Sequence, residues 1–160
     1  MKPLPRSFYE RNTEVVAVEL IGKILHVHDG HVPFKARIVE TEAYFGSQDP
    51  ASHAYRGMTK RNHLMFGLPG CAYVYFIYGN HYCLNAVTER EGTAGAVLIR
   101  AVEPLNRHTA LLHRRNVTQL VHTTNGPGKL TQAFGITGAH SGSDLTAGPL
   151  TIHDDGMPQP

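Results

Sequence analysis

The feature that most constrains this chain is a strand-like run at residues 34–44, in which apolar and polar side chains largely alternate. On a regular β-strand, alternate residues share a face. One face would then carry, in order, Ala36, Ile38, Glu40, Glu42 and Tyr44. Two carboxylates are therefore expected to point the same way.

Two further β-rich runs, 73–78 and 82–88, flank the turn-forming residues 79–81 and predict a hairpin. A loop of residues 79–81 would place Tyr75 opposite Asn85, whereas a loop one residue shorter would shift the pairing by one. We expect the longer loop, with Tyr75 and Asn85 lining one pocket.

The remaining pattern favours the α+β class. Residues 13–23 suit a short helix, and residues 94–103 form an apolar strand interrupted by Arg100. Residues 45–70 show no sustained period and predict a long loop, of a length that usually has a function. Because strands and helices do not alternate regularly, we expect one domain with a mainly antiparallel, curved sheet and surrounding helices.

Composition limits the class of protein. The 160 residues suit a single domain, and the net charge of +2 does not by itself require a nucleic-acid partner. The chain has neither an apolar run long enough to span a bilayer nor a secretory leader. We therefore expect an intracellular protein, cytoplasmic or at the nucleoid in a bacterium. No membrane partner is expected. Cys71 and Cys83 form no CxxC pair and face each other in neither hairpin register, which predicts free thiols.

Positive side chains gather in two places. One group is Arg56, Lys60 and Arg61, and the other is Arg107, Arg114 and Arg115. Such small groups are compatible with solvated faces or with contacts to a polyanion, and the sequence leaves both readings open.

Glu40 and Glu42 are candidates for acid–base chemistry. A carboxylate can remove a proton from water and face the oxocarbenium-like charge that develops when a glycosidic bond breaks. Arg100 could hold such a carboxylate and its water through charge-assisted hydrogen bonds. The alternative is that these residues form a structural salt bridge.

The tyrosine content gives a second indication. The chain has 7 tyrosines and no tryptophan. Most of the tyrosines fall in the two strand regions, at Tyr44, Tyr73, Tyr75, Tyr78 and Tyr82. Tyrosine at strand spacing is commonly a core residue, but it can also stack on a flat base, and each stack contributes about 1–3 kcal/mol.

No cofactor or metal is expected. His26 and His28 lie two apart, yet the sequence has no HExxH and no zinc-type Cys/His spacing. The segment NGPGKL at 125–130 falls short of a P-loop. Its amides and Lys129 could still meet a DNA phosphate at the start of a helix.

Several motifs in order resemble the alkyladenine (3-methyladenine) DNA glycosylase family over nearly the whole chain. They are RIVETEAYFG at 37–46, His53, KRN at 60–62, MF at 65–66, YVYFIYG at 73–79, residues 83–85, LIRAVEP at 98–104 and NGPGKL at 125–130. The resemblance implies a single-domain mixed α/β fold and a monofunctional, metal-free glycosylase. Its partner would be double-stranded DNA that contains alkylated or deaminated purines, of the 3-methyladenine, 7-methylguanine, hypoxanthine and ethenoadenine class, and we expect it to act as a monomer.

The resemblance also implies residue roles. Glu42 matches the general base and Arg100 the arginine that helps to hold the attacking water, with Glu40 in support. Tyr44, His53 and Tyr75 match the residues that sandwich the flipped base. These roles would build one site from separate parts of the chain.

Other matched residues would contact the DNA and select the base. Tyr78 matches the side chain that is wedged into the duplex, and Asn85 matches the asparagine of the pocket floor that would clash with the exocyclic amino group of guanine. Contacts to the DNA backbone are expected from Arg56, Lys60, Arg61 and Lys129.

The sequence departs from the family at its end. Family members normally continue through a further segment that lends a backbone carbonyl to the catalytic water, whereas this sequence stops at Pro160. We therefore expect residues 1–160 to form the glycosylase domain without that segment. This leaves open a lesion-binding protein of the same fold with weak or no catalysis. A glycosidase that acts on sugars is a weaker alternative, because adjacent carboxylates on one strand are badly placed to flank a glycosidic bond.

Overall fold

One antiparallel sheet organises the chain, in a computed structural model that describes residues 1–46, 49–77 and 79–159. The strands are β1 (Ile24–Val27), β2 (Phe34–Phe45), β3 (Ala72–Ile77), β4 (His81–Val87), β5 (Gly95–Pro104) and β6 (Leu150–His153). The α-helices are α1 (Arg6–Tyr9), α2 (Thr13–Leu20), α3 (His108–Arg115) and α4 (Pro127–Phe134). The six strands follow the order β3-β4-β5-β2-β1-β6, and the sheet curls into a half-barrel. The predicted α+β single-domain fold is confirmed.

The main core lies between the sheet and its helices. Leu20 of α2 and Phe134 of α4 are buried in one cluster with Ile99 of β5. Helix α2 begins where predicted, at Thr13, because the Asn12 side chain accepts hydrogen bonds from two backbone N–H groups of the first turn, which have no partner within the helix. Among the helices of the described ranges, none is long and apolar enough to cross a membrane.

The pairing of β2 with β5 is interrupted halfway along both strands. Val39 has no partner between Ile38 and Glu40, and Arg100 has none on the facing strand. Each strand thus has one unpaired residue, and the two register shifts cancel. An unpaired residue of this kind is a β-bulge, which bends its strand and re-aims the side chains that follow it.

The bulge reverses the inward face of β2. Before it, Ala36 and Ile38 lie in the main core, and after it Ala43 packs against the same core. Glu42 and Tyr44 therefore point to the opposite side of the sheet. The prediction that all these even-numbered positions share one face was wrong, because strict alternation takes no account of an inserted residue.

Strands β3 and β4 form the predicted hairpin in a different register. Asn85 lies opposite Tyr73, whereas the prediction placed it opposite Tyr75, so the predicted register was wrong by two residues. A shift of two leaves every side chain on its own face, and Tyr75 and Asn85 still share one. Tyr78 lies outside the described residues.

The two cysteines are free thiols, as predicted. Cys83 is buried in β4, and Cys71 is half-buried immediately before β3. Burial raises the pKa of both thiols. Neither is therefore placed as an activated thiolate.

Two arginines of the second basic group are engaged within the fold. Arg107 and Arg114 each lie 3.0 Å from a carboxylate oxygen of Asp29, and both guanidinium groups lie over the Phe34 ring, at 3.9 and 4.8 Å from its centroid. Burial raises the pKa of Asp29, but hydrogen bonds from Arg107, from the His31 backbone and from Arg114 outweigh it and hold that pKa below its usual value. These arginines therefore stabilise the fold at the turn between β1 and β2.

Candidate active site

Both candidate carboxylates lie on β2 beyond the bulge, next to an arginine of β5. Arg100 Nη1 donates to Glu42 Oε1 at 2.9 Å, and its Nε lies 3.4 Å from Glu40 Oε2. The side chains of Glu42 and Arg100 are 37% and 48% exposed, so water reaches the pair. The structure thus brings the three charged groups together, while the catalytic role of Glu42 and Arg100 stays a prediction.

The second oxygen of Glu42 is held from its own strand. The Tyr44 hydroxyl donates a short hydrogen bond to Glu42 Oε2. Burial, and then this bond to a carboxylate, raise the pKa of Tyr44 to about 12. Tyr44 therefore remains a hydrogen-bond donor at neutral pH and fixes the orientation of the carboxylate.

A small aromatic cavity lies beside this carboxylate. Its volume is about 140 Å³. It is lined by Tyr44, Ala51, His53, Met65, Tyr73, Tyr75, Ile77 and Asn85. All four residues predicted to contact a base are therefore in one cavity, although they come from β2, the following loop, β3 and β4.

The ring of His53 contacts that of Tyr75 edge to face. The two ring centroids are 4.2 Å apart at an interplanar angle of 60°. Two rings in direct contact leave no gap for a third, so a flat base enters between them only after the rings part. Burial, and then the charge of Arg61, lower the pKa of His53, which favours the neutral imidazole.

One residue that lines the cavity is a buried amide. Asn85 is 3% exposed, and its Nδ2 donates to the Tyr73 carbonyl across the hairpin at 3.2 Å. That bond fixes the carboxamide, and any base that fills the cavity must fit against it. The structure places Asn85 in the lining of the cavity, and its predicted role against guanine stays a prediction.

A second cavity, of about 420 Å³, adjoins the first at Tyr44 and Tyr75. Glu42 and Arg100 lie in its wall, and Lys129 lines it from the first turn of α4. Lys129 is exposed, and its Nζ is bound to the Asn125 side chain at 3.0 Å. The start of α4 therefore faces the same cleft as Glu42 and Arg100.

The first basic group lies on the loop that carries His53. Arg56 and Lys60 are exposed. Arg61 is also exposed, but its Nη2 donates to the Phe76 carbonyl of β3 at 2.8 Å, so it fastens the loop to the hairpin. The predicted contacts of these residues with DNA stay predictions, and the predicted insertion of Tyr78 concerns a residue outside the described ranges.

Sequence reasoning assigned no role to two residues that the structure brings to the site. Tyr73 was counted among the tyrosines, but it proves to be a wall of the cavity, with its ring centroid 5.3 Å from that of Tyr75. Its spacing of two from Tyr75 on a strand was a sufficient signal. Cys83 lies opposite Tyr75 and lines the second cavity, a placement that required the correct hairpin register.

Comparison with known proteins identifies the family that the chain matches. Residues 7–160 match the family model described as methylpurine-DNA glycosylase. A protein of Chlorobaculum tepidum named "Putative 3-methyladenine DNA glycosylase" is 52% identical over 147 residues, which cover 91% of this chain and 70% of the relative. Proteins with the same name from Methanoculleus marisnigri and Legionella pneumophila are 50% and 46% identical, over 97% and 99% of this chain and 80% of each relative.

Proposed function

The chain belongs to the methylpurine-DNA glycosylase family, and from this membership we propose that it excises alkylated or deaminated purines from double-stranded DNA with a water molecule activated by Glu42. It is a monofunctional DNA glycosylase, an enzyme of base excision repair. The observation that carries the proposal is the position of Glu42, whose two oxygens are held by Arg100 and Tyr44 beside the aromatic cavity.

The proposed reaction places the base and the sugar in different cavities. An extruded purine occupies the cavity of Tyr44, His53 and Tyr75, and its C1′ atom then lies toward Glu42. Since Tyr44 and Tyr75 line both cavities, the glycosidic bond passes between the two spaces. Entry requires the contact between His53 and Tyr75 to open.

The chemical step is a displacement by water at C1′. Glu42 accepts a proton from the water as its oxygen bonds to C1′, and the bond from C1′ to the purine nitrogen breaks with its electron pair left on the base. The carboxylate also stabilises the oxocarbenium-like charge on the sugar, and the hydrogen bond from Arg100 holds the carboxylate in its orientation. A cationic alkylated purine leaves as a neutral base, whereas a neutral purine such as hypoxanthine takes up one proton from solvent as it leaves, and Glu42 then returns its own proton to solvent. Because water is the nucleophile, the products are an intact abasic site and a free purine.

The lining of the cavity favours particular bases. Purines alkylated at a ring nitrogen carry a positive charge, and the electron-rich faces of Tyr44 and Tyr75 attract it. The fixed carboxamide of Asn85 would collide with the exocyclic amino group of guanine, and we propose this collision as the basis for rejecting normal guanine.

The DNA is proposed to lie across the hairpin and the exposed loop. Arg56, Lys60 and Lys129 would contact phosphates, and Tyr78 would fill the gap left by the extruded base. Extrusion costs a few kcal/mol, and stacking on the aromatic cavity offsets that cost. A monomer suffices for this arrangement.

The proposal is tested with duplex oligonucleotides that carry one hypoxanthine or one ethenoadenine, followed by alkaline cleavage of abasic sites. We expect cleavage at the lesion with the wild-type protein, and none in an undamaged duplex of the same sequence. The Glu42→Gln variant, which keeps the shape of the side chain, is the matched control. Lesion binding by both proteins without cleavage by either would instead support the lesion-binding alternative.

A further inference from the structure

Asn62 is a buried polar residue in a loop whose neighbouring side chains are exposed. Its residue exposure is 2%, whereas Lys60, Arg61 and His63 are exposed. Residues 49–62 contain turns and bends but no helix or strand. A polar side chain is buried in such a segment only if its hydrogen bonds are satisfied there.

Both the amide nitrogen and the amide oxygen of Asn62 form hydrogen bonds within the loop. Its Nδ2 donates to the carbonyl of His53 at 2.7 Å and to that of Gly57 at 3.0 Å, and its Oδ1 accepts from the N–H of Thr59 at 2.6 Å. The opposite amide orientation would set an oxygen against two carbonyls, so this network determines the assignment. One side chain thus holds three backbone groups of residues 53–59.

We propose that Asn62 is a positioning residue that holds His53 at the base cavity, an inference that rests on the proposed function. The backbone of His53 is fixed by Asn62, and its ring Nδ1 lies 3.4 Å from the Tyr73 hydroxyl. That hydroxyl donates to the carbonyl of Arg61 at 3.3 Å. Asn62 therefore contacts the backbone of His53 directly, and Arg61 contacts its ring through Tyr73.

The Tyr73 hydroxyl links the His53 ring to the loop, since it lies 3.4 Å from Nδ1 and donates to the Arg61 carbonyl. The ring itself must part from Tyr75 to admit a base, so the ordered element is the loop backbone that carries it. Ordering that backbone before the base arrives removes its ordering cost from binding.

The matched control for Asn62 is Asn106, which follows β5 and bridges the start of β2, away from both cavities. Its Oδ1 accepts from the N–H of Lys35 at 2.8 Å, and its Nδ2 donates to the carbonyl of Pro33 at 3.0 Å. Asn62→Ala and Asn106→Ala therefore remove the same kind of side-chain bridge, but only the first lies at the cavity.

The experiment measures single-turnover excision of hypoxanthine by the folded fraction of each variant. We expect Asn62→Ala to lose excision by up to about 100-fold, because a displacement of about 1 Å at a positioning group can have that effect. Asn106→Ala should excise at the wild-type rate. Equal losses in the two variants would mean a general structural role and would overturn the inference.

A double-mutant cycle separates positioning of His53 from any other action of Asn62. In the His53→Ala background the ring is absent, so Asn62→Ala should have little further effect, whereas independent sites add. If the full loss persists in that background, Asn62 does not act through His53. Asn62→Ser removes the bridge between the two carbonyls without burying a charge, and it replaces the alanine variant if that variant does not fold.

Hydrogen exchange of residues 49–62 without DNA gives a readout that does not depend on catalysis. Exchange should rise in Asn62→Ala and stay at the wild-type level in Asn106→Ala. If the wild-type protein excises nothing but exchange rises, the proposed function fails while the structural role of Asn62 stands. Unchanged exchange in Asn62→Ala would overturn the inference, whatever the excision rate.

Discussion

Two clusters of carboxylates and arginines occupy opposite parts of the protein and differ in composition. The Asp29 cluster consists of Asp29, Arg107 and Arg114, and the Glu42 cluster consists of Glu40, Glu42 and Arg100. In the first, the side chains are 19%, 22% and 34% exposed, and in the second they are 58%, 37% and 48% exposed. The first excludes most water, whereas the second remains open to it.

The ratio of charges is also inverted between the clusters. Two arginines share one carboxylate in the Asp29 cluster, so its formal charge is +1, whereas two carboxylates share one arginine in the Glu42 cluster, so its formal charge is −1. A carboxylate that is saturated by arginines stabilises a turn. A carboxylate that shares its arginine and faces water keeps acceptor capacity for a substrate proton. The same residue types therefore form a structural cluster in one place and a candidate catalytic one in the other.

The largest effect is expected from Glu42→Gln. Removal of a general base should lower the single-turnover excision rate by about 10²- to 10⁴-fold. Because the pair with Arg100 is exposed, the free energy of unfolding should change by less than about 1 kcal/mol. Rate measurements on lesion duplexes and urea unfolding of the same samples check both statements. Excision at the wild-type rate would remove Glu42 from the mechanism.

Asp29→Asn should lower stability and leave excision unchanged, the reverse of Glu42→Gln. It leaves Arg107 and Arg114 without a charged partner and should lower the free energy of unfolding by about 1–2 kcal/mol. Excision by the folded protein should be unchanged, because the cluster lies outside both cavities. A loss of excision larger than the loss of folded protein would show that the two clusters are coupled.

The stability difference between wild type and Asp29→Asn should depend on pH. Since the folded state lowers the pKa of Asp29, the carboxylate contributes stability above its unfolded pKa, and this contribution is lost as pH falls through the folded pKa. The two proteins should therefore differ at pH 7 and converge in acid below the usual aspartate range. Urea titrations at several pH values test this, and a difference that grows toward low pH would contradict the assignment.

The smallest effect is expected from Glu40→Gln. Glu40 is the more exposed carboxylate, and its contact with Arg100 is the longer one, at 3.4 Å. Loss of an exposed ion pair costs less than about 1 kcal/mol. A change of that size in the activation barrier would lower the excision rate by about fivefold at most. A loss as large as that of Glu42→Gln would mean that the two carboxylates act together and that the site has a different base.

Part of the candidate site could be predicted because some of its residues lie close together in the sequence, on one strand. Glu42 and Tyr44 lie two apart and both follow the bulge, so their shared face survived an error about the strand as a whole. The hairpin register was missed because a period of two is unchanged by a shift of two. His53 lies in a loop without any period, and only the family resemblance indicated it. Asn62 belongs to the KRN motif at 60–62, but the motif indicated neither its burial nor a role for it, since burial of a loop asparagine depends on contacts that the sequence does not display.

The bulge at Val39 has a consequence for how this strand tolerates change. Val39 is 44% exposed, so many side chains are acceptable at that position. Deletion of the same residue would exchange the two sides of everything that follows in β2, turning Ala43 toward the cleft and the charge of Glu42 into the core. The presence of a residue at position 39 therefore matters to the two sides of β2, whereas its side chain is little constrained.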